Sequence, residues 1–161
     1  RAEPGRFGAA VRRLLGVDEE TAIGCARTAR VARLATTSVT GRVEQVPITF
    51  AFDTAGRLVT AVDHKPKTTT RLKRLENVAA NPEVSVVVDH YDDADWSALW
   101  WVRIRGLARV VLADAPDPGE RTLHEGAVDA LVAKYAQYRD RPPAGPAIVV
   151  EPVRWQWWSS A

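Results

Sequence analysis

Cysteine is almost missing from this chain, with Cys25 the only one in 161 residues. A single thiol excludes an internal disulfide framework and a cysteine-rich zinc site, and it suits a reducing cytoplasm, the expected location. Charge of one sign is missing too. Against 22 lysines and arginines stand 20 acids, a formal net charge of +2, so the balance gives no support to a polycationic binder of nucleic acid or membrane, and any anion site must be local. No apolar run approaches the roughly 18 residues of a membrane span, and no signal peptide is visible. The chain begins at Arg1 rather than methionine, and its natural start is expected upstream. His64, His90 and His124 are the only histidines; they lack metal-ligand spacing, and no metal site is expected. No G-x-S-x-G, Walker or G-x-G-x-x-G pattern occurs, which leaves hydrolase, P-loop and dinucleotide-fold chemistry without support.

What is present describes one globular domain, 46% hydrophobic and long enough to bury a core. The segment RFGAAVRRLLG predicts a leading helix, so residues 1–20 are read as a helical extension and 21–161 as the main domain. Asp18 is placed to cap a helix over DEETAIGCARTA, whose apolar face takes Cys25 into the core. Strands follow. VARLATT, the turn SVTGR and the run VEQVPITFAF come first, with Val46, Ile48, Phe50 and Phe52 on one face and Pro47, Thr49 and Ala51 on the other. After the turn DTAGR, RLVTAV makes a third strand and EVSVVVDHY a fourth. The fifth, ALWWVRIRGLARVVL, sets Trp100, Val102, Ile104, Ala108 and Val110 against a face of Trp101, Arg103, Arg105, Leu107 and Arg109. One helix over about GERTLHEGAVDALVAKYAQY, with His124 at its surface, and a last strand, AIVVEPVRWQWW, complete six strands. Mostly antiparallel connections between them point to an α+β fold, a small barrel with helices outside.

The stretch HKPKTTTRLKR carries Lys65, Lys67, Arg71, Lys73 and Arg74 with no acid among them. A short helix is predicted through LKRLENVAANP, with Leu72, Leu75 and Ala79 on its buried face and Pro82 beyond its end. At about 100° per residue, Lys67, Arg71 and Arg74 fall within about 60° of one another, while Lys73 projects to the far side. Convergent cations at a helix N-terminus, with threonine hydroxyls such as that of Thr68, make a phosphate site. A solvated helix with mixed charges accounts for the same residues, and the residues alone leave both readings open. The acidic DHYDDADW segment reads as an exposed loop. Trp100, Trp101, Trp155, Trp157 and Trp158 suit a core, a dimer surface or the wall for a flat heterocycle.

Taken in register, ARVARLATTSVTGRVEQVPITFAFD, AVDHKPK, RLKRLENVAANPEVSVVVDHYDD, LWWVRIRGLARVV and YAQYRDRPPAGPAIVVEPVRW resemble the pyridoxamine-phosphate-oxidase-like split-barrel proteins. KPK, DHYDD, LWWVR and RPPAGP are similar to one actinobacterial branch of that superfamily, the coenzyme F420 (deazaflavin)-dependent oxidoreductases of flavin/deazaflavin oxidoreductase B type. The resemblance covers about residues 26 to 158.

It implies a six-stranded antiparallel split β-barrel of FMN-binding type, a homodimer with cofactor sites at its interface, and no role for nucleic acid or membrane. It implies F420, with FMN as the alternative, and hydride transfer to an unidentified small molecule, or else a non-catalytic deazaflavin carrier. Lys65 and Lys67 stand where the family's phosphate-binding pair lies, with Thr68, Arg71 and Arg74 continuing the patch. Val46, Pro47, Ile48, Thr49 and Phe50 are expected beside the ring system, and Arg103, Arg105, Trp100 and Trp101 are the candidates for the cofactor tail or the interface. No catalytic residue is assigned, because the hydride chemistry belongs to the cofactor.

Overall fold

The computed structural model describes residues 18–62 and 72–160; the predicted leading helix lies outside them. Helix α1 (Glu19–Thr28) starts where Asp18 accepts the Thr21 N–H at 2.8 Å, and Glu19 and Glu20 sit at its positive end. Its buried contacts come from Ala22 and Ala26. Cys25 is half-buried, short of the core position expected for it.

The described residues form seven strands: β1 (Ala32–Thr37), β2 (Val43–Ile48), β3 (Ala51–Phe52), β4 (Leu58–Ala61), β5 (Glu83–His90), β6 (Trp100–Val111) and β7 (Ala147–Ser159). All pairings are antiparallel, in the order β2-β1-β5-β6-β7-β4-β3. The six-strand count is corrected because the run from Val43 to Phe52 divides at Thr49 and Phe50, its first part pairing with β1 and its second with β4. Two consecutive strands thereby occupy opposite ends of the sheet order. With only two residues between them, the sheet must curl back on itself, and the mainly antiparallel α+β split barrel follows. Pro47 is tolerated because β2 is an edge strand. The two predicted turns are made by Gly41 and Gly56, both at φ 81°, which glycine reaches without strain.

Two cores lie on either side of this sheet. Val46, Ile48, Phe50 and Phe52 all pack into the barrel interior, so the alternation along the chain survives the break. The predicted inward face of β6, from Trp100 through Val110, joins them. The second core holds Ala51, Val59, Val111, Ala147 and Val149 against Ala127, Leu131 and Tyr135. Helix α3 (Pro118–Lys134) therefore covers the outer face of the β3–β4–β7 region, and β4 and the start of β7 are buried on both faces. Asp117 caps α3 by accepting the Glu120 N–H at 2.8 Å, with Pro118 in the first turn. The predicted single helix to Tyr138 instead stops at Lys134, because Tyr135 is extended, and a short α4 (Gln137–Asp140) follows. His124 is buried rather than superficial, its Nε2 2.9 Å from the Gly145 carbonyl oxygen.

Helix α2 (Lys73–Ala80) buries Asn77 and Val78, with Leu75 against the barrel core. The predicted face is corrected: Leu72 is the extended N-cap and Ala79 is exposed. Asn77 takes the inward position because its amide donates to Thr36 Oγ1 at 3.0 Å, so two buried polar groups satisfy each other. Beside β6, β7 carries one extra residue at Val153, since Arg105 faces Arg154 while Gly106 faces Pro152. Gly106 is required there. A Cβ would meet Val150 Cγ1 at 2.7 Å and the Glu151 carbonyl oxygen closer still.

Candidate functional site

The break between β2 and β3 leaves Phe50 without a ladder partner, and its backbone groups are buried. The Tyr135 hydroxyl replaces the ladder. It accepts the Phe50 N–H at 3.0 Å and has the carbonyls of Phe50 and Arg30 each at 2.8 Å, where its one proton can serve either. Thr49 Oγ1 lies 3.0 Å from the Tyr138 hydroxyl. Burial pushes the Tyr135 phenol above its ordinary range, opposed by the Phe50 hydrogen bond and the Arg30 charge.

This geometry sorts the five residues expected beside a cofactor ring. Ile48 and Phe50 are buried and Val46 is half-buried against the same core, so their side chains form no outer wall. Pro47 is exposed and Thr49 half-buried. Among the described residues β2 has a ladder on one side only. Backbone N–H and C=O groups on its free edge fit the hydrogen-bonding edge of a flat heterocycle.

Pairing register runs Pro47, Arg33, Val87, Arg103 and Gln156 across five adjacent strands. Pro47 and Arg103 therefore share the outer face, three strand spacings or about 14 Å apart. The next row holds Ala35, Ser85, Arg105 and Arg154. Arg33 is engaged by Asp89, and the Arg103 guanidinium lies over Trp101 at 5.3 Å from its centroid. Trp100 faces the other way, packed against the barrel core and stacked on His90 at 6.2 Å. Arg154 Nε and Gln156 Oε1 are buried without hydrogen-bond partners among the described residues, and Leu107 and Val153 are exposed on the same strands.

Lys65, Lys67, Thr68 and Arg71 lie outside the described residues. Arg74 stands in the first turn of α2, half-buried. Because the helix starts at Lys73 and Leu72 is extended, helical spacing no longer relates Lys67 and Arg71 to Arg74, and the 60° convergence is withdrawn. Lys73 is exposed and paired with Glu76 at 3.5 Å.

Sequence reasoning missed the cluster around the end of α3. The Lys134 ammonium is buried 3.8 Å from the Phe50 ring centroid, without a hydrogen-bond acceptor among the described residues. Burial, and then the Arg30 charge, lower its pKa to about 8. Arg30 donates to the Lys134 carbonyl at 2.9 Å and lies over Tyr135. The only signal along the chain was the pair of tyrosines in AKYAQY, which helical periodicity absorbs. Lys134 also lines a cleft of about 740 Å³ between α3 and the β3–β4 hairpin.

The family described as pyridoxamine 5'-phosphate oxidase matches residues 20–159. The chain belongs to that family. Among solved structures, a conserved hypothetical protein of Mycobacterium tuberculosis is similar with a TM-score of 0.68 at 17% identity, over 94% of this chain and 91% of that one. A FAD-binding protein of Mesorhizobium loti gives 0.62 at 19% identity, over 86% and 92%. A heme-binding protein of Mycobacterium smegmatis gives 0.59 at 21% identity over 86% of this chain, which spans about half of that longer protein, 52%. No curated protein matches in sequence. At these identities the likenesses establish the fold. No helix among the described residues is long and apolar enough to cross a membrane.

Proposed function

We propose that the protein is an oxidoreductase that binds coenzyme F420 and transfers hydride between the reduced deazaflavin and a small molecule. The observation that carries the reading is the run of five cations and no acid from Lys65 to Arg74, leading from β4 into the first turn of α2. A coenzyme with a phosphate and a glutamate tail carries several negative charges, more than FMN presents, and suits an extended patch better than a single phosphate does. Family membership and the free edge of β2 support a flavin-like ligand; the Mesorhizobium relative, a FAD-binding protein, favours FMN as the second reading.

When bound, the deazaflavin supplies the hydride chemistry. The chain's own residues do the rest. The β2 edge, with Pro47 and Thr49, orients the ring; Lys65, Lys67, Thr68, Arg71 and Arg74 hold the phosphate; and Arg103 and Arg105 receive the tail across the outer face. A second copy of the chain on that face completes the site and excludes water.

Fluorescence titration with F420 and with FMN tests the assignment. F420 should bind more tightly; equal affinities, or a preference for FMN, move the assignment to a flavin. Lys67→Ala and Arg71→Ala should each weaken binding by roughly 1–3 kcal/mol, the range of a charge-assisted hydrogen bond. Lys73→Ala, already paired with Glu76, should leave it unchanged. Three indistinguishable variants would make the stretch ordinary solvated surface, and tight binding without turnover would make the protein a carrier.

A further inference from the structure

A cleft lies between α3 and the β3–β4 hairpin, with Arg57, just before β4, among its lining residues. Its volume, about 740 Å³, falls within the range of small-molecule sites. Ala51, Phe52, Ala130 and Ala133 provide apolar wall, and three basic residues from three different elements line it: Arg27 of α1, Arg57 of the hairpin and Lys134 of α3. Arg57 is occupied, bonded to Asp53 at 2.6 Å and 3.8 Å from Glu151. Among the described residues, Arg27 and Lys134 meet aromatic rings instead. The Arg27 guanidinium lies 5.3 Å from the Phe52 ring centroid, and the Lys134 ammonium lies over Phe50. Neither has a carboxylate partner among the described residues. The one lining carboxylate besides Asp53 is Asp129, exposed on α3.

We propose that this cleft is a second binding site, for a small organic anion with an apolar body. Arg27 and Lys134 hold the anionic head and the alanine-lined wall takes the body. An aromatic face compensates a buried ammonium only in part, so Lys134 gains when a carboxylate or phosphate oxygen comes within reach. Its flexible four-carbon stem already lines the cleft. Rotation about that stem brings the ammonium from the Phe50 ring to the ligand, which makes occupancy and the Lys134 position one event. A groove whose cations were merely solvated would bind no anion selectively.

Calorimetric titration of the full chain with benzoate and with phenyl phosphate tests this and distinguishes the two head groups. At least one should bind with one-to-one stoichiometry, and neutral benzyl alcohol and inorganic phosphate alone should each bind at least about tenfold more weakly, since each lacks one half of the recognition. Arg27→Gln and Lys134→Met should each weaken the anion about tenfold or more while the variants melt cooperatively. Phosphate matching phenyl phosphate would remove the apolar contribution and overturn the proposal. So would no binding of either aromatic anion up to about 5 mM, or affinities indifferent to both substitutions. The site is independent of the cofactor reading. Displacement of the probe by F420 or FMN would assign it to the cofactor instead, overturning the proposal and moving the cofactor's place in the fold while leaving its identity to the fluorescence titration.

Discussion

A lysine ammonium taken out of water without an acceptor favours its neutral form, and this sets the behaviour of Lys134 with pH. Its folded pKa of about 8 lies below the ordinary 10.5. Between those values the unfolded chain binds more protons than the folded one, so stability rises as pH increases from about 8 to about 10.5. Tyr135 works against this at the upper end. Its raised phenol keeps a proton that the unfolded chain releases above its ordinary value of 10.0, so stability falls there. Lys134→Met keeps an apolar stem over Phe50 and removes the charge. The side chain as a whole is only half-buried, so nearby solvent offsets part of the penalty, and the expected gain at pH 7 is about 1 kcal/mol, or roughly 2–4 °C in Tm. Thermal melts should show that gain shrinking toward pH 10. A difference that stays constant from pH 7 to pH 10 would mean that Lys134 does not titrate in this window.

Beyond the apolar packing of α3 on the sheet, one hydroxyl at the end of that helix ties it to the barrel backbone. Tyr135→Phe leaves the ring in place but strips the Phe50 N–H of its acceptor and the Phe50 and Arg30 carbonyls of the one donor they share. Each buried group left unsatisfied costs about 1–3 kcal/mol, and partial relaxation makes about 2–3 kcal/mol the expected loss in a denaturant titration. A loss under about 0.5 kcal/mol would mean that water reaches Phe50 and serves in place of the phenol. The elements themselves were largely legible in the sequence, because alternation and caps are local: Asp18, the turn glycines, and the inward face from Trp100 to Val110 stand where they were expected. The break at Thr49 and Phe50 was not legible. Side-chain alternation runs through it undisturbed, and only the change of ladder partner, a property of strands far apart in the chain, reveals it. The inward Asn77 was hidden for a similar reason, since its partner Thr36 is 41 residues away. Of the candidate site, the basic run was visible as composition, whereas the Lys134 cluster depends on a tertiary contact between α3 and the barrel.

At the scale of the whole molecule, the outer face of β5, β6 and β7 is the surface we propose for a second copy of the chain. It carries Arg103, Arg105 and Trp101, exposed Leu107 and Val153, and the unsatisfied Arg154 Nε and Gln156 Oε1. A second copy seated there is expected, so sedimentation at micromolar concentration should give twice the chain mass, and Arg103→Glu with Arg105→Glu should shift it toward monomer. A monomer that still binds cofactor tightly would refute the shared-site arrangement. The seam of the barrel behaves differently from this face. β2 and β3 do not pair with each other; the chain through Thr49 and Phe50, latched by two phenols, and the barrel core they share hold them together. Releasing that latch lets the strands part without breaking a single rung of the sheet. The Phe50 amide is therefore a natural reporter: its hydrogen–deuterium exchange follows the opening of the seam, while the amides of β6 and β7 follow unfolding of the whole.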